Sequence, residues 1–412
     1  MLATLRHRNF ALLWTGGLIS LIGNWILIAA MPFHVYAVTG SALLTSGWLM
    51  AYIAPGVLFG SVAGVFVDRW DRKRMMVVTS LMQAVIILVL LFAQSAERIW
   101  LVYVVAFIES SLAQFFGPAE NALLPSLVGE DHLMSANSLN SMNDNLARLI
   151  GPAIGGALLG LVGLSSVVLL DAASYGIAAV LILLVNAPTA VTSPTATEAP
   201  AAGGSRWMKV WREWLAGLQL VRHHRILAGI FTVVGIALLG DAIISAILVV
   251  FVQDVMGLSS VEFGWMMTAR GIGGLIGGLL LAQIGRKWTP IQLITGGFLL
   301  AGILILIIVN FPTLVIVLPG LVLVGIPAIV SFVSVQTVLQ QETEDAFRGR
   351  VFGTFGTTIT LLMLVGSGLG GALADQLGAS LLMNAASIIY IIAGLLAMVL
   401  LSQAGKEAIA TP

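Results

Sequence analysis

The sequence predicts an all-α membrane protein of twelve transmembrane helices in two six-helix, pseudo-symmetric halves, and three observations carry that expectation. The 412 residues are 59% hydrophobic and only 9% charged, against about 25% charged in an ordinary soluble domain. Apolar runs of the roughly 20 residues that a spanning helix needs recur from Phe10 to Leu401 with short polar interruptions. The two halves of the chain also match each other in sequence.

Taken in order, the first set of spans covers residues 10–36, 44–67, 75–94, 100–117, 139–163 and 166–186. Arg6 and Arg8 precede the first of these, which runs past Ala30 and is too long for a signal-peptide core. The second set covers 226–252, 263–284, 290–310, 314–336, 352–374 and 380–401. Between them, 187–205 is rich in Pro, Ala, Thr and Ser; such a segment cannot bury a core and reads as a flexible connector. In 206–224, Trp207, Trp211, Trp214, Leu218 and Val221 share one helical face. This amphipathic helix either lies in the membrane interface or packs on the protein's own helices. The organisation is then an N-terminal half (1–186), a connector (187–205), an amphipathic helix (206–224) and a C-terminal half (225–412).

Every basic residue except Arg98, Arg148 and Arg270 falls in the N-terminal arm, the loops after even-numbered spans, the amphipathic helix or the C-terminal tail. The positive-inside rule therefore places both termini in the cytoplasm of a cell with the chain in its inner membrane.

The internal repeat is specific. Gly47 and Trp48 match Gly264 and Trp265, Gly64 matches Gly278, and Arg72 and Lys73 match Arg286 and Lys287. Glu130 and Asp131 match Glu344 and Asp345, and Leu170 to Ser174 (LDAAS) matches Met383 to Ser387 (MNAAS). Because each half holds an even number of spans, the repeat is parallel, about an axis along the membrane normal. Alternating access needs such symmetry; a structural protein does not.

Other function classes are disfavoured. Nineteen basic and nineteen acidic residues give zero net charge, so nothing points to nucleic acid. Without cysteine there is no disulfide, thiol catalysis or thiolate metal site. No metal-ligand cluster or nucleotide-binding loop is evident, so neither an enzyme nor a cofactor is expected, and transport has to run on a gradient.

The turn after span two, GVFVDRWDRKR (Gly64 to Arg74), holds two acids and four bases. A solvated positive-inside loop explains the bases but not the order of Gly64, Asp68, Arg69, Asp71, Arg72 and Lys73. That order resembles the loop signature of the major facilitator superfamily, and more closely its third drug:proton antiporter family, the macrolide-efflux and enterobactin-exporter type. LRHRNFALLW near the N-terminus, FFGPAENALLPSLV (Phe115 to Val128) and GPAIGG (Gly151 to Gly156) resemble the same family, so the likeness covers essentially the whole chain.

The resemblance implies that Asp68, Arg69 and Arg72 form a cytoplasmic latch near the start of span eleven, where a helix dipole favours the acid. The second-half copy has Ala282 and Gln283 in place of Asp68 and Arg69, so the latch is expected to be one-sided. It further implies an antiporter packing motif in span five, where Pro152 kinks the helix and Gly151, Gly155 and Gly156 permit close approach. Here the sequence departs from the family pattern, with Ala147 where an upstream glycine is expected. Monomer is the family default.

Ionisable groups within a bilayer are costly and are functional candidates: Glu109, Asp144, Arg148, Asp171, Asp241 and Arg270. Asp144 and Arg148, four apart, read as an internal ion pair or, with Asn137, Ser141 and Asn145, as cavity lining. Asp171 matches Asn384, which suggests hydrogen bonding at matched positions. Asp241, in mid-span seven, matches Asn24 in span one; in this superfamily the first helix of each half lines the cavity. Glu109 sits where many family members carry an arginine. A low-dielectric site disfavours its charged form, making it a proton carrier with Arg270 as a counter-ion. His34 reads as a hydrogen-bonded interfacial histidine.

The function expected is proton-coupled efflux of a hydrophobic or amphiphilic, drug- or macrolide-like molecule, with Glu109 and Asp241 the leading carriers. The partners are small-molecule cargo, protons and membrane lipids. Export of a siderophore, translocation of a lysophospholipid, or a non-transporting sensor or scaffold are the rivals.

Overall fold

In a membrane, a chain must satisfy its backbone polar groups internally, and long helices do so residue by residue. The computed structural model, which describes residues 4–67, 70–186 and 206–410, is built this way. In the first half α1 (Arg8–Thr39), α2 (Ala42–Val67), α3 (Arg72–Ile87), α4 (Trp100–Val128), α5 (Leu133–Leu161) and α6 (Leu164–Leu183) follow one another. Next comes α7 (Arg206–His223). The second half comprises α8 (Arg225–Val250), α9 (Ser260–Ile284), α10 (Pro290–Asn310), α11 (Leu314–Gln341), α12 (Asp345–Leu377) and α13 (Ala379–Ala410). No strand occurs among the described residues.

Among the described residues, eleven helical segments are long and apolar enough to cross a membrane. The twelfth predicted span, α5, falls outside that set because its first half carries Asn137, Asn140, Ser141, Asn143, Asp144, Asn145 and Arg148. At 29 residues it is still about 43 Å long, enough to cross.

Helix ends follow local chemistry. Gly40 stops α1 in the left-handed region (φ 61°) and returns its N–H to the Tyr36 carbonyl at 2.8 Å, a conformation that a Cβ would oppose. Thr289 and Gln292 close a capping box on α10, with Pro290 at its first position. The predicted end of span four at residue 117 is extended: α4 continues through Pro118 and Pro125 to Val128. Proline lacks one donor but does not always stop a membrane helix, because neighbouring groups take up the freed carbonyls.

The chain forms two compact units. Of the described residues, the first comprises 4–40, 47–67, 70–186 and 258–268. Within it α5 lies against α1: a Cβ on Gly155 would stand 2.5 Å from the Ile26 carbonyl oxygen, and one on Gly151 would strike Trp25. Gly156 faces Ser260 in the same way, and the Ser260 hydroxyl donates to the Gly156 carbonyl at 3.0 Å. The second unit comprises, of the described residues, 41–46, 206–257 and 269–410. There Asp375 accepts from the Ala42 N–H at 2.9 Å and the Ser41 hydroxyl at 3.1 Å.

In the second unit α7 packs one face on α12. The Trp214 indole N–H donates to Thr358 Oγ1 at 3.1 Å, Gly217 meets Thr354, and Val221 is buried. Its other face leaves Trp211 and Leu215 exposed. The connector 187–205 lies outside the described residues.

Candidate functional site

Charge decides which intramembrane side chains can act. Among the described residues, Glu109 and Asp171 are the carboxylates with 1% and 0% exposure, and both belong to the first unit. Glu109 is held by α4. Its Oε1 accepts from Asn24 Nδ2 at 3.0 Å and from the Tyr175 hydroxyl at 3.3 Å. Asn24 Nδ2 also donates to Tyr175 at 3.2 Å, while its Oδ1 accepts from the Tyr52 hydroxyl at 3.2 Å. The Tyr52 ring stacks on Trp48, centroids 5.6 Å apart. The result is a closed network from α1, α2, α4 and α6 in which, among the described residues, the hydrogen-bond partners of the Glu109 carboxyl are neutral.

Asp171 sits on the same helix as Tyr175, one turn away. Its Oδ1 accepts from the Ser174 hydroxyl at 3.3 Å, but its buried Oδ2 has no hydrogen-bond partner among the described residues. Both side chains press on α1 at Gly23, where a Cβ would collide with Asp171 and Ser174. Gly23 and Asn24, adjacent on α1, thus serve the two carboxylates, which lie within electrostatic reach of each other. The structural role that the match with Asn384 suggested leaves half of the Asp171 carboxylate unexplained. Asn384 Oδ1, in contrast, has a donor: it accepts from Asn310 Nδ2 at 2.7 Å.

The second unit repeats the plan with a different charge balance. Asp241 on α8 accepts at Oδ1 from Arg270 Nη2 of α9 at 3.0 Å and from the Tyr390 hydroxyl of α13 at 2.9 Å. In each unit a first-helix polar residue thus joins a second-helix side chain and a last-helix tyrosine. The sequence-based pairing of Arg270 with Glu109 gives way to Arg270 with Asp241: α8 and α9 bring those two groups together, and the guanidinium neutralises the acid nearest to it.

Asn137, Ser141, Asp144, Asn145 and Arg148 form one exposed stripe of α5, costly against lipid and suited to water. The Arg148 guanidinium carbon lies 5.1 Å from the centroid of the Trp25 ring, and Asp144 feels its charge. On α4, Glu120 is half-buried and accepts from Asn140 Nδ2 at 3.1 Å. The imidazole Nε2–H of His34 donates to the Ala93 carbonyl at 2.8 Å.

Of the loop residues, Asp68 and Arg69 lie outside the described residues. Gly64 falls within α2. Asp71 caps α3, accepting from the Arg74 N–H at 2.7 Å, and Arg72 donates to the Ala122 carbonyl of α4 at 2.9 Å. Lys73 is half-exposed. Among the described residues no group of three or more His, Cys, Asp or Glu could hold a metal.

Sequence reasoning missed Tyr52, Tyr175, Tyr390 and Glu120. The signal was present for the first three, since only five tyrosines occur in the chain and a hydroxyl in an apolar span needs a partner. Glu120 fell beyond the predicted end of span four.

The family model described as Major Facilitator Superfamily matches residues 13–361 and 236–410. Macrolide efflux protein A of Streptococcus pyogenes is 27% identical over 90% of each chain. Multidrug efflux pump Tap of Mycolicibacterium fortuitum is 28% identical over 92% of each. Enterobactin exporter EntS of Shigella boydii serotype 4 is 26% identical, covering 90% of this chain and 86% of its own. Among solved structures, the nucleoside transporter NupG superposes with a TM-score of 0.75 at 12% identity, over 95% of this chain and 99% of that one; that likeness concerns the fold.

Proposed function

The chain belongs to the major facilitator superfamily, a multi-pass membrane transporter and not an enzyme, and we propose that it exports hydrophobic or amphiphilic drug-like molecules in exchange for protons. Both termini are then in the cytoplasm and the chain sits in the inner membrane, as its basic residues favour. Efflux proteins for macrolides, other drugs and enterobactin among its relatives support the direction and the cargo class.

The observation that carries the coupling is the neutral company of Glu109. Among the described residues this carboxyl, 1% exposed, is bonded by neutral donors alone, and a buried charge without a counter-charge is costly, whereas a protonated carboxyl is tolerated. Asp171 sharpens the conflict, because two ionised acids within electrostatic reach repel. Loading and releasing one proton therefore changes which contacts the first unit can make, and a difference between two states is what coupling requires. Asp241 differs in its partner, because it is paired with the Arg270 guanidinium at 3.0 Å. Its role is to fix α8, α9 and α13, and the carrier role narrows to Glu109 with Asp171 beside it. The exposed polar stripe of α5 offers cargo a wet surface beside this site, and Asp68, Arg69 and Arg72 serve as the cytoplasmic latch.

The test is accumulation of ethidium and of a macrolide, erythromycin, in cells with and without the chain and with and without a protonophore. Lower accumulation that the protonophore reverses is expected. Equal accumulation in all four conditions contradicts export, and a protonophore-insensitive decrease contradicts proton coupling.

A further inference from the structure

We infer that Glu120 is the cytoplasmic-side proton station for Glu109, joined to it by a corridor between α1, α4 and α5; this rests on the proton-coupled reading above. Glu109 and Glu120 are eleven residues apart on α4, which returns them to one stripe of the helix about 16 Å apart. No direct transfer spans that distance, so something between them must carry the proton.

The surface of α1 that faces them is made for this. Gly17, Ser20, Gly23 and Asn24 recur at helical spacing. At the far end Gly23 leaves room for Asp171 while Asn24 binds Glu109. At the near end a Cβ on Gly17 would find Asn143 Nδ2 at 3.8 Å and Glu120 Oε1 at 4.0 Å. The missing Cβ of Gly17 therefore leaves room for about one methyl group beside the Glu120 carboxylate, and buried Ser20 stands between the two ends.

A second observation concerns the acceptors around these acids. Asn143, 3% exposed, uses its amide N–H on the Trp14 carbonyl at 3.0 Å and leaves Oδ1 buried without a partner among the described residues; Asn140, whose N–H binds Glu120, leaves its Oδ1 in the same condition. With Asp171 Oδ2, three buried acceptors that lack donors among the described residues bracket the path. Buried polar atoms are rarely left so, and water is their usual partner. A file of waters through such acceptors conducts protons. The proton leaves the Glu109 carboxyl, passes along the waters to the Glu120 carboxylate and departs to the cytoplasm, leaving Glu109 ionised and Glu120 ready for the next.

The charged groups around Glu120 suit an intermediate station. Asp144 on α5 lies within electrostatic reach, with Arg148 beyond it. On α3, Arg72 is engaged with the Ala122 carbonyl, and α1 contributes no charge here.

Proteoliposomes carrying the full chain separate the possibilities, with ethidium as probe. Glu120→Gln is expected to slow uptake driven by a pH gradient about tenfold or more, while gradient-free exchange of ethidium persists. Glu120→Asp is expected to recover most of the driven rate because it restores a carboxyl. Gradient-driven uptake by Glu120→Gln at the wild-type rate overturns the relay. So does a Glu120→Asp variant as slow as Glu120→Gln, or loss of exchange in both, since either marks a structural residue. If wild-type protein shows no gradient-driven uptake, the coupling itself fails and the relay with it.

Discussion

Glu109→Gln replaces a buried carboxylate with an amide of nearly the same shape. In the wild type, Oε1 accepts from Asn24 Nδ2 at 3.0 Å and from the Tyr175 hydroxyl at 3.3 Å. Both donors meet one oxygen and an amide oxygen placed there keeps both bonds, so the substitution costs no more than about one neutral hydrogen bond, some 0.5–1.5 kcal/mol. Glu109→Ala strands both donors and opens a cavity, at about 2–5 kcal/mol. The glutamine variant should therefore insert and melt close to the wild type, while the alanine variant melts lower. Function should separate more sharply. In everted vesicles with an imposed pH gradient, Glu109→Gln should fail to concentrate ethidium, yet bind it within about tenfold of wild-type affinity, less than 1.4 kcal/mol. Transport by the wild type should vary with pH, and the residual exchange of the variant should not. Concentrative uptake by Glu109→Gln with the wild-type pH profile would refute the reasoning and move suspicion to Asp144.

Other outcomes follow from contacts outside that network. Arg270→Gln should lower thermal stability by up to about 1.5–3 kcal/mol, reduced because the guanidinium side chain is 39% exposed; adding Asp241→Asn should restore part of the loss, measured as a double-mutant cycle in detergent. Gly155→Leu should destabilise the first unit by about 1–3 kcal/mol or block insertion, read from the yield of monodisperse protein, because the Ile26 backbone occupies the space. Asp71→Ala should cost about 1 kcal/mol through the lost cap on α3, whereas Asp68→Asn should leave yield unchanged and slow turnover, and equal turnover in Asp68→Asn and wild type would count against the latch.

The fold was legible because membrane solvation writes it into composition and run length. The apolar run of span four ends at residue 117, where polar residues begin, whereas α4 passes through Pro118 and Pro125 to Val128. That one boundary hid Glu120. The site was half legible: intramembrane charges marked Glu109, Asp241 and Arg270, but not who meets whom. Helical spacing relates residues within one helix, whereas Asn24, Tyr52, Glu109 and Tyr175 come from four. Asp171 was legible as a matched position and not as an unpaired acid, since a missing donor is a property of packing. The glycines of α5 were legible as contacts, but their neighbours in α1 were not.

Proton flux measured during cargo movement bears most directly on coupling through Glu109. Proteoliposomes with a pH-sensitive dye inside, given an outward gradient of ethidium and no imposed pH difference, should change internal pH as ethidium leaves. The change should vanish with a protonophore and be absent in Glu109→Gln, even though ethidium still crosses. Ethidium efflux from wild-type vesicles without any proton movement would contradict it.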